Sequence, residues 1–258
     1  MSYLEKQIIA STSPLKGENN KLSSLKTECL FGENIFVLKE TNEWCYCKCD
    51  LDNYVGWVQN KDLGFLPQAT HSVSQLCTLV FDKPDIKSRL IFKLYLNSKV
   101  SVLTHQNNWL EIALDENKSG FIPANHLTSL ENVNKDWICI AKDFKNTPYL
   151  WGGRTYSGID CSGLVQTSLM SSGFFIPRDS IDQISFKSEK IKNVKSINKG
   201  CLVFWKGHVA IATSDKTVLH SNAFHMSVKE ENLIDVLKRF YNTNDKILAI
   251  RQVVTSHN

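Results

Sequence analysis

The sequence predicts an α+β protein in which two small all-β barrels, residues 1–68 and 69–131, precede a mixed domain over residues 132–258. Three observations carry that expectation. A weak internal repeat runs through the first half. The strand-like pattern gives way to helical spacing just after Leu130. Beyond it, a glycine-bearing turn at Gly158-Ile159-Asp160 leads straight into a helical pattern that opens on Cys161, and strands then alternate with turns to the C-terminus.

The repeat is visible residue by residue. Val37-Leu38 followed by Asn42-Glu43-Trp44 recurs as Val102-Leu103 followed by Asn107-Asn108-Trp109. Gly56-Trp57-Val58 recurs as Gly120-Phe121-Ile122, and Leu63 recurs as Leu127. Short alternating strands, a Gly-aromatic-aliphatic strand and a closing segment describe an antiparallel barrel of roughly 60 residues. Trp, Gly and Leu matching in one register point to a true repeat rather than two unrelated β domains. In the second half, Trp137, Ile138, Ile140, Ala141 and Phe144 have helical spacing. Thr147 to Gly153 form an apolar loop ending in a glycine pair. Leu164, Val165, Ser168 and Leu169 line one face of a helix that Gly173 stops.

Composition narrows the function classes. Of 258 residues, 42% are apolar and 22% charged, which is ordinary for a globular protein. The net charge of +4 is mild and no basic stripe is dense enough for nucleic acid. Met1 to Lys16 hold only the short apolar run Ile8-Ile9-Ala10, and no segment approaches a membrane span, so the expectation is a soluble cytoplasmic protein. The eight cysteines are then expected to be reduced. Cys45, Cys47 and Cys49 alternate along a strand, sharing one face about 6.6–7 Å apart, too far for a disulfide between neighbours and without zinc-type spacing. They are assigned as small apolar strand residues. No feature of the sequence specifies an oligomeric state.

The chemistry centres on Cys161. A helix N-terminus carries partial positive charge and free N–H groups, which lower a thiol's pKa. His208 to Ala212 and Lys216 to His220 read as two strands joined at Thr213, Ser214 and Asp215. A hairpin centred on Ser214 sets Ala212 against Lys216, Ala210 against Val218 and His208 against His220, putting the two imidazoles directly across from each other. A thiol with one imidazole as base and a second to orient it, beside backbone N–H groups able to hold an oxyanion, is the outline of a cysteine-nucleophile enzyme. His71, His105, His126, His225 and His257 have no comparable setting.

Five ordered motifs now bear on family: Pro148-Tyr149-Leu150-Trp151-Gly152-Gly153, Asp160-Cys161-Ser162-Gly163-Leu164-Val165, Pro177-Arg178-Asp179-Ser180, Gly207-His208-Val209-Ala210-Ile211 and Leu219-His220. Together they resemble the NlpC/p60-type papain-like cysteine peptidases, and the Trp and Gly-aromatic repeat ahead of them resembles bacterial SH3-like domains. A subset with that layout cleaves the bond between γ-D-glutamate and a diamino acid in murein peptides whose N-terminal L-alanine is free, in peptidoglycan recycling. The resemblance implies Cys161 as nucleophile, His208 as base and His220 as third polar residue. It implies substrate contacts at Tyr149, Asp160, Ser162 and Ser180, and at Tyr54 and Glu33 of the first repeat. It implies no metal and no organic cofactor. Asp160 is expected to offer its carboxylate to the substrate's ammonium, while a lone glutamate such as Glu33 is ordinarily solvated. The second repeat carries Lys118 at the Tyr54 place. Where the family has an acidic residue after glycine, this chain has Gly200-Cys201, which implies altered loop packing rather than lost chemistry. Two other readings remain open at this stage: a thiol-dependent amidase or acyltransferase on another substrate, and a non-catalytic cell-wall binding module.

Overall fold

The computed structural model describes residues 4–132, 136–186 and 188–254. The chain divides into two compact units, Met1–Asn134 and Lys135–Asn258. The two repeats thus share the first unit, each with its own core. No described helix is long and apolar enough to cross a membrane.

In the first repeat, strands Leu4–Ile8, Thr12–Lys16, Leu25–Leu30, Asn34–Glu40, Trp44–Cys49, Val55–Gln59 and Leu63–Gly64 join one antiparallel sheet. The strand from Trp44 to Cys49 turns Cys45, Cys47 and Cys49 inward, where they pack with Ile8, Leu15, Cys29, Ile35 and Val58. The Cys29 and Cys49 sulfurs are 3.6 Å apart and both thiols are free. In the second repeat, strands Cys77–Phe81, Leu90–Tyr95, Val102–Gln106, Trp109–Ala113 and Ser119–Pro123 form a five-stranded sheet beside the three short strands His71–Val73, Lys99–Val100 and Leu127–Ser129.

The repeat extends to single hydrogen bonds. Gly32 N–H donates to the Ile8 carbonyl at 2.8 Å, and Asn97 N–H to the Val73 carbonyl at 3.0 Å. Both residues have positive φ, 77° and 72°. The repeated glycine of the Gly-aromatic strand has a steric cause. A Cβ on Gly56 would lie 2.7 Å from the Lys16 carbonyl oxygen, and one on Gly120 would lie 2.6 Å from Val80 Cγ1. The two barrels are keyed together at Phe31. This residue belongs to the first repeat, yet it is fully buried in the second core with Val80, Leu94 and Ile112, 5.8 Å from the Phe92 ring.

The second unit is built on a six-stranded antiparallel sheet, ordered Glu189–Lys190, Ala249–Gln252, Cys201–Trp205, His208–Ala212, Thr217–Asn222, Ser227–Asn232. The helix Cys161–Met170 is buried at every position but its last and lies against the strands His208–Ala212 and Thr217–Asn222. Its polar residues, Ser162, Gln166, Thr167 and Ser168, are buried with the apolar ones, so no face of it is turned to solvent. The amphipathic helix Leu233–Asn242 follows the last of those strands and sets Leu233 and Val236 into a core with Val203, Trp205, Ala210 and Val218. Cys201, the departure noted in the sequence, is fully buried in that core, its sulfur 3.0 Å from Gln252 Oε1.

One expectation is corrected. The hairpin pairs Ala212 with Val218 and Ile211 with Leu219, two residues away from a register centred on Ser214. The Ser214 hydroxyl accepts from the Lys216 and Thr217 amides, and Thr213 N–H donates to the Thr217 carbonyl, which widens the turn. An even slip keeps His208 and His220 on one face but makes them diagonal neighbours.

Phe31→Ala is expected to cost about 3–5 kcal/mol, since it deletes a fully buried ring. Hydrogen exchange should show lost protection in Leu90–Tyr95, remote in sequence, and loss confined to the first repeat would refute the keying role.

Candidate active site

The nucleophile candidate is placed by a capped turn. Asp160 is the N-cap of the Cys161–Met170 helix, its side chain accepting from Gly163 N–H at 2.7 Å. The same carboxylate accepts from Gly152 N–H at 2.8 Å, from the Ser162 hydroxyl at 3.2 Å, and from both terminal nitrogens of Arg178 at 2.9 and 2.7 Å. A carboxylate offers about four lone-pair sites, so these five donors fill it. Arg178, 2% exposed, also donates to the Ser162 hydroxyl at 2.9 Å and to the Gly153 carbonyl. The expectation that Asp160 holds a free carboxylate for an ammonium is therefore corrected: Arg178 neutralises it, and Asp160 with Ser162 anchors the turn. Arg178 lies in one of the sequence motifs, but nothing in the sequence gave it a role.

The glycine pair is a close-approach device. Gly152 has φ 78° and gives its N–H to Asp160. A Cβ on Gly153 would meet the Gly158 carbonyl at 2.4 Å, and one on Gly163 would meet the Gly153 carbonyl at 2.4 Å. Loop and helix start are thus in backbone contact.

Cys161 is buried, 7% exposed, and the backbone N–H groups of Val209 and Ser162 act on its sulfur. Val209 follows His208, which brings the sulfur to the start of the His208–Ala212 strand. His208 Nε2 lies 2.8 Å from His220 Nδ1, with the rings at 66°. His220 is 1% exposed, and its Nε2 lies 2.8 Å from Glu231 Oε1. The His208 ring is also held by Phe240, stacked at 5.4 Å, and by Trp205 at 6.0 Å.

Burial dominates the electrostatics. It pushes the Cys161 thiol up to about 12, reinforced by the Asp160 charge and opposed by the Val209 N–H, Arg178 and the Ser162 N–H. Burial, then His220 and Arg239, pushes His208 down to about 3. Each shift favours the neutral form of its own group. Burial and the Asp160 charge thus oppose the lowering expected of the helix N-terminus. Tyr149 is raised to about 12, first by burial and then by the Cys161 and Asp160 charges, which places its phenol in the sulfur's field.

The remaining expected residues occupy varied settings. Ser180 opens the short helix Ser180–Gln183 and is half-buried. Tyr54 packs against the first core with Lys26 Nζ 5.1 Å from its ring centroid, and Lys118 pairs with Asp115 at 3.0 Å. Glu33 is not solvated; it is 4% exposed and accepts from Leu30 N–H at 3.0 Å. Of the set-aside histidines, His225 lies 3.0 Å from Glu231 Oε2, a setting that no local sequence signal marked, and His257 lies outside the described residues. Among the described residues no cluster of three or more His, Cys, Asp or Glu is arranged to hold a metal ion.

Comparison with known proteins bears on the same elements. Residues 146–243 match the NlpC/P60 family, and residues 20–63 match the bacterial dipeptidyl-peptidase Sh3 domain. The chain is 27% identical over 236 residues to dipeptidyl-peptidase 6 of Lysinibacillus sphaericus, covering 83% of this chain and 86% of that protein. It is 24% identical over 238 residues to a gamma-D-glutamyl-L-lysine dipeptidyl-peptidase of Bacillus subtilis (strain 168), covering 83% and 77%. In fold it is similar to the crystal structure of an NlpC/P60 family protein from Bacillus cereus ATCC 10987, with TM-score 0.83 and 20% identity over 96% of this chain and 99% of that one.

Two measurements check the site. Gly163→Ala improves helix propensity by about 1 kcal/mol, yet is expected to lower the melting temperature, because the new methyl meets a backbone carbonyl; a raised melting temperature would refute the contact. Alkylation of Cys161 by iodoacetamide, followed on its own peptide by mass spectrometry, should rise about tenfold per pH unit from pH 7 to 10. The sign follows from a raised pKa, which leaves the thiolate fraction unsaturated throughout that window. A rate already level at pH 7 would show a resting thiolate.

Proposed function

We propose that this chain, which carries an NlpC/P60 family domain behind a bacterial dipeptidyl-peptidase Sh3 domain, is a cysteine peptidase that hydrolyses the bond between γ-D-glutamate and a diamino acid in short cell-wall peptides. The observation that carries the reading is the His208 Nε2 to His220 Nδ1 contact at 2.8 Å, one residue from the Val209 amide that acts on the Cys161 sulfur. The relatives' names, dipeptidyl-peptidase 6 and gamma-D-glutamyl-L-lysine dipeptidyl-peptidase, support the bond and the peptide class. A place in the recycling of released wall peptides is part of the proposal.

The roles follow from the geometry. Cys161 Sγ attacks the γ-carbonyl carbon while its proton moves to His208, so charge separates only as the bond forms. The Val209 and Ser162 N–H groups favour the anionic sulfur in that step. Backbone N–H groups at the helix start, that of Cys161 among them, receive the oxyanion. Collapse expels the diamino acid's amine, which takes the proton from His208. Water, deprotonated by His208, then hydrolyses the thioester and releases the N-terminal dipeptide as a carboxylate. His220 holds the His208 ring in line, and Tyr149 borders the sulfur.

The test is a tripeptide of L-Ala, γ-D-Glu and a diamino acid, offered with its amine free and N-acetylated. Cleavage of the free form to dipeptide and diamino acid, lost in a folded Cys161→Ala variant, is the expected result. Undiminished cleavage by that variant would overturn the assignment, and a joined product in place of two fragments would indicate acyl transfer.

A further inference from the structure

Behind the two imidazoles lies a layer of charge that the proposed mechanism does not use. Glu231 sits on the strand Ser227–Asn232 opposite Val218, one diagonal step from His220, which pairs with Lys229. Its Oε1 lies 2.8 Å from His220 Nε2 and 3.1 Å from Arg239 Nη1. Its Oε2 lies 3.0 Å from His225 Nε2 and 2.5 Å from Arg239 Nη2. Arg239 comes from the helix Leu233–Asn242, and its guanidinium rests 4.0 Å from the centre of the Phe224 ring. The neighbouring residue on that helix, Phe240, stacks on Trp205 and on His208. One stretch of chain therefore braces both imidazoles.

The hydrogen-bond pattern has one solution for neutral rings. An ionised carboxylate only accepts, so the hydrogen shared with Glu231 sits on His220 Nε2. The Arg239 fork approaches the same carboxylate with donors only, which keeps it ionised, as does the hydrogen bond to His220. His220 Nδ1 is then bare and accepts from His208 Nε2–H. That leaves Nδ1 as the basic nitrogen of His208. Each ring's tautomer is dictated by the one behind it, and the series ends at Glu231.

We propose that Glu231, fixed by Arg239, is a positioning residue that sets the tautomer of His220 and through it of His208. The inference rests on Cys161 and His208 being the reacting pair, but its central claim concerns proton positions and is measurable without turnover. Glu231→Gln is the informative change. The amide has one oxygen, and Arg239 draws it, turning the NH2 toward His220. His220 must then accept at Nε2 and carry its hydrogen on Nδ1, where it opposes His208 Nε2–H.

The experiment is nitrogen–proton correlation spectroscopy of the full chain labelled at histidine, alongside kinetics on the free tripeptide. The expected result is an Nε2–H tautomer for His220 in the unmodified protein and loss of that signature in Glu231→Gln. In the same variant kcat should fall between about 10-fold and 10⁴-fold, the range seen when a ring-orienting group is altered. KM should stay within about twofold, because only positioning of the base changes. Glu231→Asp, which keeps the charge, should restore part of kcat. Hydrogen on His220 Nδ1 in the unmodified protein would overturn the proposal, as would an unchanged kcat in a folded Glu231→Gln. Should Glu231→Gln fail to fold, the tautomer of the unmodified protein and the Asp variant decide. A chain that cleaves no peptide would defeat the proposed function, and the position of the His220 hydrogen would still decide the role of Glu231.

Discussion

The Asp160 carboxylate is the constraint on which the site depends. Gly152 N–H, Gly163 N–H, the Ser162 hydroxyl and the Arg178 fork converge on its two oxygens. These donors come from the loop before the helix, the helix itself and the loop after it. The geometry that satisfies them at once sets Cys161 at the start of the helix. Burying such an ion pair is costly, and removing one partner leaves a stranded charge, typically a loss of about 3–5 kcal/mol. Gly153 and Gly163 belong to the same constraint, since the segments approach to backbone contact.

Burial at this turn and ionisation at the sulfur pull against each other. The sealed interior that fixes Cys161 also disfavours its thiolate, and it disfavours the His208 cation equally. Burial thus favours the neutral form of each group. Fixed dipoles are suited to that regime: the Val209 and Ser162 amides face the sulfur, and His220 backs the base. Dipoles set before the reaction need no reorganisation while it proceeds, and they act more strongly where water is excluded.

What the sequence made legible was periodicity and local punctuation. Apolar spacing located the helices at Trp137 and Cys161, and the strand from His208 to Ala212 matched its observed bounds. The one-sided burial of Cys45, Cys47 and Cys49 followed from period-two geometry. What stayed hidden was long-range or dielectric. Arg178 meets Asp160 across 18 residues, and nothing local marks a buried arginine. Glu231 reaches His220 only because a further hairpin folds back, a pairing that alternation along one strand does not contain. The two-residue error in the preceding hairpin came from the Ser214 hydroxyl, whose bonds to two amides lengthen the turn. Pairing the histidines survived that error because even slips preserve the face. The upward push of burial on the Cys161 thiol was not legible, because sequence reveals the helix end but not the depth of burial.

The internal repeat offers a control for one residue that sequence alone left ambiguous. Glu33 and Ser98 occupy the same place in the same turn. Glu33 N–H donates to the Leu30 carbonyl at 3.1 Å and Ser98 N–H to the Tyr95 carbonyl at 2.9 Å. The Glu33 carboxylate accepts from Leu30 N–H, and the Ser98 hydroxyl accepts from Tyr95 N–H. A neutral hydroxyl therefore closes this turn, and folding has no need of a charge there. Both residues are buried, at 4% and 0% exposure, so one turn accommodates an acidic side chain in the first repeat and a hydroxyl in the second.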